Sequence, residues 1–82
     1  MLKIGTETKL KPAEVIERAV QFFGPNGGYG LKIAEQTDTG VCFEGSGGGV
    51  DVVACAEEKG TMVDVVSREW DHQAKEFMEK LH

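Results

Sequence analysis

The fold is decided by residues 29–66, which read YGLKIAEQTDTGVCFEGSGGGVDVVACAEEKGTMVDVV. Within this stretch, apolar and polar residues alternate with the period of two that is typical of β-strands with one buried face. The alternating segments are residues 29–36, 41–44, 50–56 and 61–66. The three short connections between them contain glycine, as hairpin turns do. We therefore predict a four-stranded antiparallel meander.

The flanking segments add one strand and two helices. Residues 2–10 alternate like a strand, and residues 12–23 and 68–81 carry apolar side chains at helical spacing. Proline is accepted in a first helical turn, which suits a helix that begins at Pro12. Ser67 is the expected N-cap of the last helix. The predicted order is β-α-β-β-β-β-α, an α+β fold in a single domain of residues 1–82.

Each helix has one apolar stripe, so we expect both helices on one face of one antiparallel sheet. Counting outward from the turns predicts Glu35 opposite Phe43, Ile33 opposite Gly45, and Ala54 opposite Val63. The predicted core face consists of Tyr29, Leu31, Ile33, Val41, Phe43, Val52, Ala54, Val63 and Val65. A slip of one residue in either turn exchanges the two faces.

The opposite face of the predicted sheet is more apolar than a solvated face should be. Its apolar stripe consists of Ala34, Cys42, Val53, Cys55, Met62 and Val66. Because both helices are needed on the core face, nothing within the chain covers this stripe, and an uncovered apolar patch is typical of an interface. The alternative is a set of half-exposed residues without a partner, since scattered surface hydrophobes are normal.

Charge and hydropathy limit the classes of function. The chain has 82 residues, with 9 basic and 14 acidic side chains and a net charge of −5. This balance disfavours nucleic acid and anionic membrane surfaces as partners, because both require a basic face. No apolar run reaches the roughly 18 residues of a membrane span, and the N-terminus does not resemble a signal peptide. We expect a cytoplasmic protein.

The two cysteines, Cys42 and Cys55, fall on neighbouring strands and on the same face. They could lie opposite each other and form a disulfide or two metal ligands, but a zinc site needs further ligands. The only histidines, His72 and His82, are on the last helix, which should cover the other face. We expect two free thiols in a reducing compartment, and no metal or cofactor. The face also carries Glu44, Asp51 and Asp64, which we interpret as solvated strand residues rather than catalytic groups.

The stretch Glu44-Gly45-Ser46-Gly47-Gly48-Gly49-Val50 lies between two predicted strands. Together with the element order, it resembles the glycine-rich loop of helix-grip domains, the Bet v 1/START-like family. The resemblance implies a sheet wrapped around the C-terminal helix, with an apolar ligand held between them. It also marks Gly45, Gly47 and Gly48 as a candidate ligand loop. A phosphate-binding loop would open into a helix, whereas here a strand follows, which favours a plain hairpin tip.

Two functional hypotheses follow from the sequence. The first is a non-enzymatic assembly module that forms a homodimer through the outer face of the sheet or through its edge. The second is a small binding domain for an apolar or amphipathic ligand between sheet and helices. The aromatic side chains expected in the core leave little room for a ligand, so the sequence favours the first.

Overall fold

The computed structural model describes residues 2–24, 27–45 and 47–81. Its elements are β1 (Leu2–Thr8), α1 (Pro12–Phe23), β2 (Lys32–Gln36), β3 (Gly40–Gly45), β4 (Gly48–Glu57), β5 (Gly60–Arg68) and α2 (Asp71–Glu79). The strands form one sheet in the order β1-β5-β4-β3-β2, and every neighbouring pair is antiparallel. The predicted α+β fold and its element order are confirmed.

Both helices pack on the same face of the sheet, α1 against β3 and β4, and α2 against β5 and β1. Between the two layers lies a core of fully buried side chains from every element except β1 and β2. The six aromatic residues of the chain form one connected group of rings. Within it, Phe23 lies 5.5 Å from Phe43 and 5.3 Å from Phe77 between ring centroids, which joins α1 to the sheet and to α2.

The registers of the central strands define which residues face the helices. Ala54 lies opposite Val63, as predicted, and Val52 lies opposite Val65. All four side chains are buried, and Val53 between them is 44% exposed. The predicted faces of β4 and β5 are therefore correct.

The predicted register between β2 and β3 is wrong. Ile33 lies opposite Phe43 rather than Gly45, and Glu35 lies opposite Cys42 rather than Phe43, because the register shifts at a bulge between Ile33 and Glu35. A bulge inserts one unpaired residue, here Ala34. Ile33 and Glu35 therefore lie on opposite faces of the sheet, although they are two residues apart. Ile33 is predicted core, yet it is 37% exposed on this edge strand, away from the main helix contacts.

The last helix begins later than predicted and is shorter, since α2 comprises Asp71–Glu79 rather than residues 68–81. Strand pairing continues through Ser67 and Arg68, which lie opposite Val50 and Gly49, so the ladder extends over the predicted first turn. Glu69 then reverses the chain with a φ of +71°, a conformation uncommon outside glycine. Ser67 is therefore not the N-cap. It is a buried strand residue whose hydroxyl accepts a hydrogen bond from the Trp70 N–H at 3.0 Å.

Two buried threonine hydroxyls donate hydrogen bonds that join β1 and β5 to neighbouring segments of the chain. The Thr8 hydroxyl donates to the Leu81 carbonyl at 2.8 Å, and the Thr61 hydroxyl donates to the Leu10 carbonyl at 2.6 Å. Such bonds satisfy carbonyl groups that would be costly to bury unpaired. They fix the end of α2 and the β1–α1 connection to the same end of the sheet.

Candidate interaction surface

The outer face, as we call the side of the sheet opposite the helices, is defined by the strand registers. Its central column is the run of alternate β4 residues, flanked by β5 on one side and β3 on the other. The β4 residues are Gly49, Asp51, Val53, Cys55 and Glu57, the β5 residues are Met62, Asp64, Val66 and Arg68, and the β3 residues are Gly40, Cys42 and Glu44. Lys3, Gly5 and Glu7 of β1 and Lys32 and Glu35 of β2 complete it. No described element packs on this face.

Five of the six predicted interface residues share the outer face. They are Cys42, Val53, Cys55, Met62 and Val66. Val53 and Cys55 are exposed, and the other three are half-buried. The sixth, Ala34, lies at the bulge of the edge strand β2, two strands away from Val53. The predicted stripe is thus a patch centred on β4 rather than a band across four strands.

The Arg68 side chain lies over the central strand, near the end of the outer face where β4 begins. A Cβ built on Gly49 would lie 2.8 Å from Arg68 Nη2, so the guanidinium lies over the glycine of the neighbouring strand. Only a residue without a side chain leaves that space open. Sequence reasoning missed this feature, because it placed Arg68 in the first turn of a helix, where no strand neighbour exists.

The two cysteines share the outer face but do not oppose each other. Cys42 lies opposite Asp51, and Cys55 is four residues further along β4. At about 3.3 Å per strand residue this offset is about 13 Å, beyond the roughly 7 Å between Cα atoms that a disulfide allows. Within one chain the two thiols therefore cannot be joined without moving the backbone.

The Cys42 thiol has an acidic surrounding. Its partial burial, a hydrogen bond to the Asp51 carboxylate and the negative charges of Asp51 and Glu35 raise the pKa of Cys42, and the positive charge of Arg68 opposes them. A raised pKa lowers the thiolate fraction, and the thiolate is the nucleophile. This environment suits a structural thiol rather than a catalytic one.

Among the described residues, no three His, Cys, Asp or Glu side chains are grouped as metal ligands would be. The three carboxylates singled out in the sequence all lie on the outer face, and Asp51 has a specific partner in Cys42. Asp64 lies over the neighbouring strand, since a Cβ on Gly5 would be 2.9 Å from its Oδ1. These carboxylates are spread over three strands.

The glycines of the candidate ligand loop have backbone and packing roles. Gly45 pairs with Gly48, so the turn is shorter than the predicted residues 45–49, and Gly48 and Gly49 belong to β4. Gly47 has a φ of +88°, and a Cβ on Gly48 would overlap the Arg68 carbonyl oxygen. Ser46 of this turn lies outside the described residues.

A cleft of about 250 Å³ lies between α1 and the C-terminal end of α2. Phe22, Phe77 and Leu81 supply its apolar lining, and Arg18 of α1 and Lys80, the C-cap of α2, bring positive charge. The Lys80 ammonium lies 5.0 Å from the centroid of the Phe22 ring, a cation–π distance. The cleft differs from the predicted ligand position, because side chains of both layers fill the space between sheet and helices.

The geometry defines a two-layer α+β protein with one covered and one uncovered sheet face. No family model and no curated protein matches the chain. Among solved structures, its fold is similar to that of the protein SSP2350 from Staphylococcus saprophyticus, with a TM-score of 0.56 and 15% sequence identity. The match covers 95% of this chain and 79% of that protein. At this identity the likeness shows the fold alone.

A membrane span requires a helix of about 20 predominantly apolar residues. Within the described parts of the chain, neither α1 nor α2 meets that requirement.

Proposed function

We propose that this protein is a non-enzymatic assembly module that forms a homodimer through the outer face of its sheet. The observation that carries the proposal is the uncovered apolar centre of that face, where Val53 is 44% exposed on the central strand. Antiparallel sheets commonly leave one face to solvent, but that face is then polar. A second copy would remove this apolar surface from water.

Two further features support self-association over a catalytic role. The thiol in the middle of the face has a raised pKa, which makes it a poor nucleophile. The glycines of the β3–β4 hairpin have structural roles. Gly47 adopts a positive φ in the turn, and Gly48 leaves room for the Arg68 carbonyl oxygen. Free thiols persist in reducing compartments, so we place the dimer in the cytoplasm.

The test is the oligomeric state of the parent and of Val53→Asp. We expect sedimentation velocity to show a dimer for the parent and a folded monomer for the variant, because two buried like charges oppose association through desolvation and repulsion. The matched control is Ile33→Asp. Among the described residues, Ile33 is the other large apolar residue that is exposed. It is 37% exposed and lies on β2 opposite Phe43, on the helix side of the sheet.

Ile33→Asp should remain dimeric. A parent that stays monomeric at millimolar concentration would overturn the proposal. A Val53→Asp variant that stays dimeric would instead show that the interface does not include the centre of the outer face.

A second candidate function is binding of an amphipathic anion in the interhelical cleft. The specific observation is the pairing of an apolar lining with two cations in a chain of net charge −5. A carboxylate with an apolar tail fits that chemistry.

Titration with decanoate, followed by NMR shifts of α1 and α2 amides, tests this second function. Lys80→Glu should abolish the shifts, and Lys75→Glu, on the same helix but outside the cleft lining, should not.

A further inference from the structure

The strand order places β4 in the middle of the sheet, with two strands on each side. A two-fold axis that runs along β4, midway between two outer faces, would therefore superpose the whole of one sheet on the whole of the other. We infer that the dimer has this axis, so that β4 packs on the partner's β4, β5 on the partner's β3, and β1 on the partner's β2. This inference rests on the proposed homodimer and adds its arrangement. Aligned sheets cross at about 30°, so each β4 would lean about 15° from the axis.

The charges of the outer face select this axis. The described residues of the face include six carboxylates and three basic side chains, so two faces brought together without regard to charge would repel each other. Arg68 and Glu44 lie in the same row, on either side of Gly49. Rotation about β4 exchanges the two sides, which sets the β5 position of Arg68 against the β3 position of the partner's Glu44 twice.

A second row gives the same result. Lys3, Val66, Asp51, Cys42 and Glu35 form one continuous row of neighbours across the five strands. Rotation about its centre brings Lys3 against the partner's Glu35, both exposed at the margin of the sheet. Asp51 lies on the axis and meets the partner's Asp51. Both Arg68 guanidinium groups lie beside them, since Arg68 reaches over Gly49, the next outward-facing residue of β4.

An axis across the strands at Val53 accounts for fewer charges. It would pair Lys3 with the partner's Glu7, but it would set Asp64 against the partner's Asp64 without a basic neighbour in that row. Glu44 would face no strand of the partner, because β3 begins at Gly40 in the row of Val53. Charge complementarity thus favours the axis along β4.

The same axis sets Cys55 against the partner's Cys55, since both lie on β4 two residues beyond Val53. Cys42 lies one strand away from the axis. The Cα atoms of Cys42 and of the partner's Cys42 would be about 14 Å apart. This distance combines a sideways offset of two strand spacings, each about 4.8 Å, with a separation of about 10 Å between the sheets. A short bifunctional maleimide, which adds one thiol to each of its two double bonds, should therefore join two chains through Cys55 and not through Cys42.

The first experiment is this crosslinking, with Cys42→Ala and Cys55→Ser as the matched pair. We expect a covalent dimer in the parent and in Cys42→Ala, and none in Cys55→Ser. A crosslink that survives Cys55→Ser and is lost in Cys42→Ala would overturn the axis along β4.

The second experiment exchanges charges. Arg68→Glu puts a second carboxylate against the partner's Glu44, and Glu44→Arg puts two guanidinium groups together, so each variant alone should dimerise roughly tenfold or more weakly. An equimolar mixture of the two variants can pair carboxylates with guanidinium groups and should form a heterodimer about as tight as the parent. Both positions are exposed, so both variants should fold.

The outcomes separate the axis from the function. A dimeric parent whose charge variants stay dimeric, or whose mixture forms no heterodimer, overturns the axis and leaves the homodimer standing. A monomeric parent overturns both.

Discussion

Cys42 shows how much the function of a single residue depends on its register. The sequence placed Cys42 and Cys55 on one face, which the structure confirms, but it could not decide whether they face each other. The glycine-rich connection offered five residues for the turn, and the actual hairpin is closed by Gly45 and Gly48. Cys42 therefore lies opposite Asp51, and its chemistry is set by a neighbour that no local pattern identified.

The raised pKa of Cys42 predicts slow alkylation. At pH 8, in protein dilute enough to be monomeric, iodoacetamide should modify the half-buried Cys42 more slowly than the exposed Cys55. Asp51→Asn removes a hydrogen-bonded negative charge, so it should lower the pKa of Cys42 and speed its modification. Peptide mass spectrometry over time gives both rates.

The control for this prediction is Asp64→Asn, which removes a carboxylate from the same face that does not act on Cys42. It should leave the Cys42 rate unchanged. Equal acceleration by both variants would mean that general charge, rather than the Asp51 contact, sets the reactivity of the thiol.

At the scale of the elements, α2 shows where periodicity succeeds and where it fails. The predicted stripe is correct, since Ala74, Phe77 and Met78 are buried. The predicted start is wrong, because helical spacing records which residues face the core and does not record where a neighbouring strand ends. The β4–β5 ladder continues to Arg68, and a long-range pairing of this kind outweighs the local preference for a helix.

Phe77 is the largest fully buried side chain of α2. Its ring is buried and lies 5.3 Å from Phe23 and 5.7 Å from Phe22. Phe77→Ala should lower the free energy of unfolding by about 3–5 kcal/mol, through lost burial and the cavity left behind. Trp70→Ala should cost less, because Trp70 is only half-buried. Urea denaturation measures both changes.

The exposed Lys75 of the same helix provides the control. Lys75→Ala should change stability by no more than about 0.5 kcal/mol. A cost for Phe77→Ala below about 1 kcal/mol, against the range expected for a buried ring, would contradict the packing of α2 on α1.

For the whole molecule, the strand alternation and the two apolar stripes were enough to predict one sheet with both helices on one face. Turn lengths were not enough to predict every register, because the β2–β3 hairpin contains a bulge at Ala34 that no turn residue signals. The predicted stripe accordingly lies on one face at Cys42 of β3 and throughout β4 and β5, and it departs from that face at Ala34. The position of Arg68 over Gly49 could not be predicted, because it depends on β5 continuing to Arg68 beside β4.

If two copies bury their outer faces, folding and association are linked, and the melting temperature must depend on protein concentration. A dimer that unfolds to two chains of 82 residues, with an unfolding enthalpy near 0.7 kcal/mol per residue, should melt about 4 °C higher for each tenfold increase in concentration. Val53→Asp should melt at one temperature throughout, since a monomer unfolds without a concentration term, whereas Ile33→Asp should keep the parent's slope. Calorimetry over two decades of concentration resolves the difference, and a parent whose melting temperature does not change with concentration would contradict the dimer even if its Val53 variant were less stable.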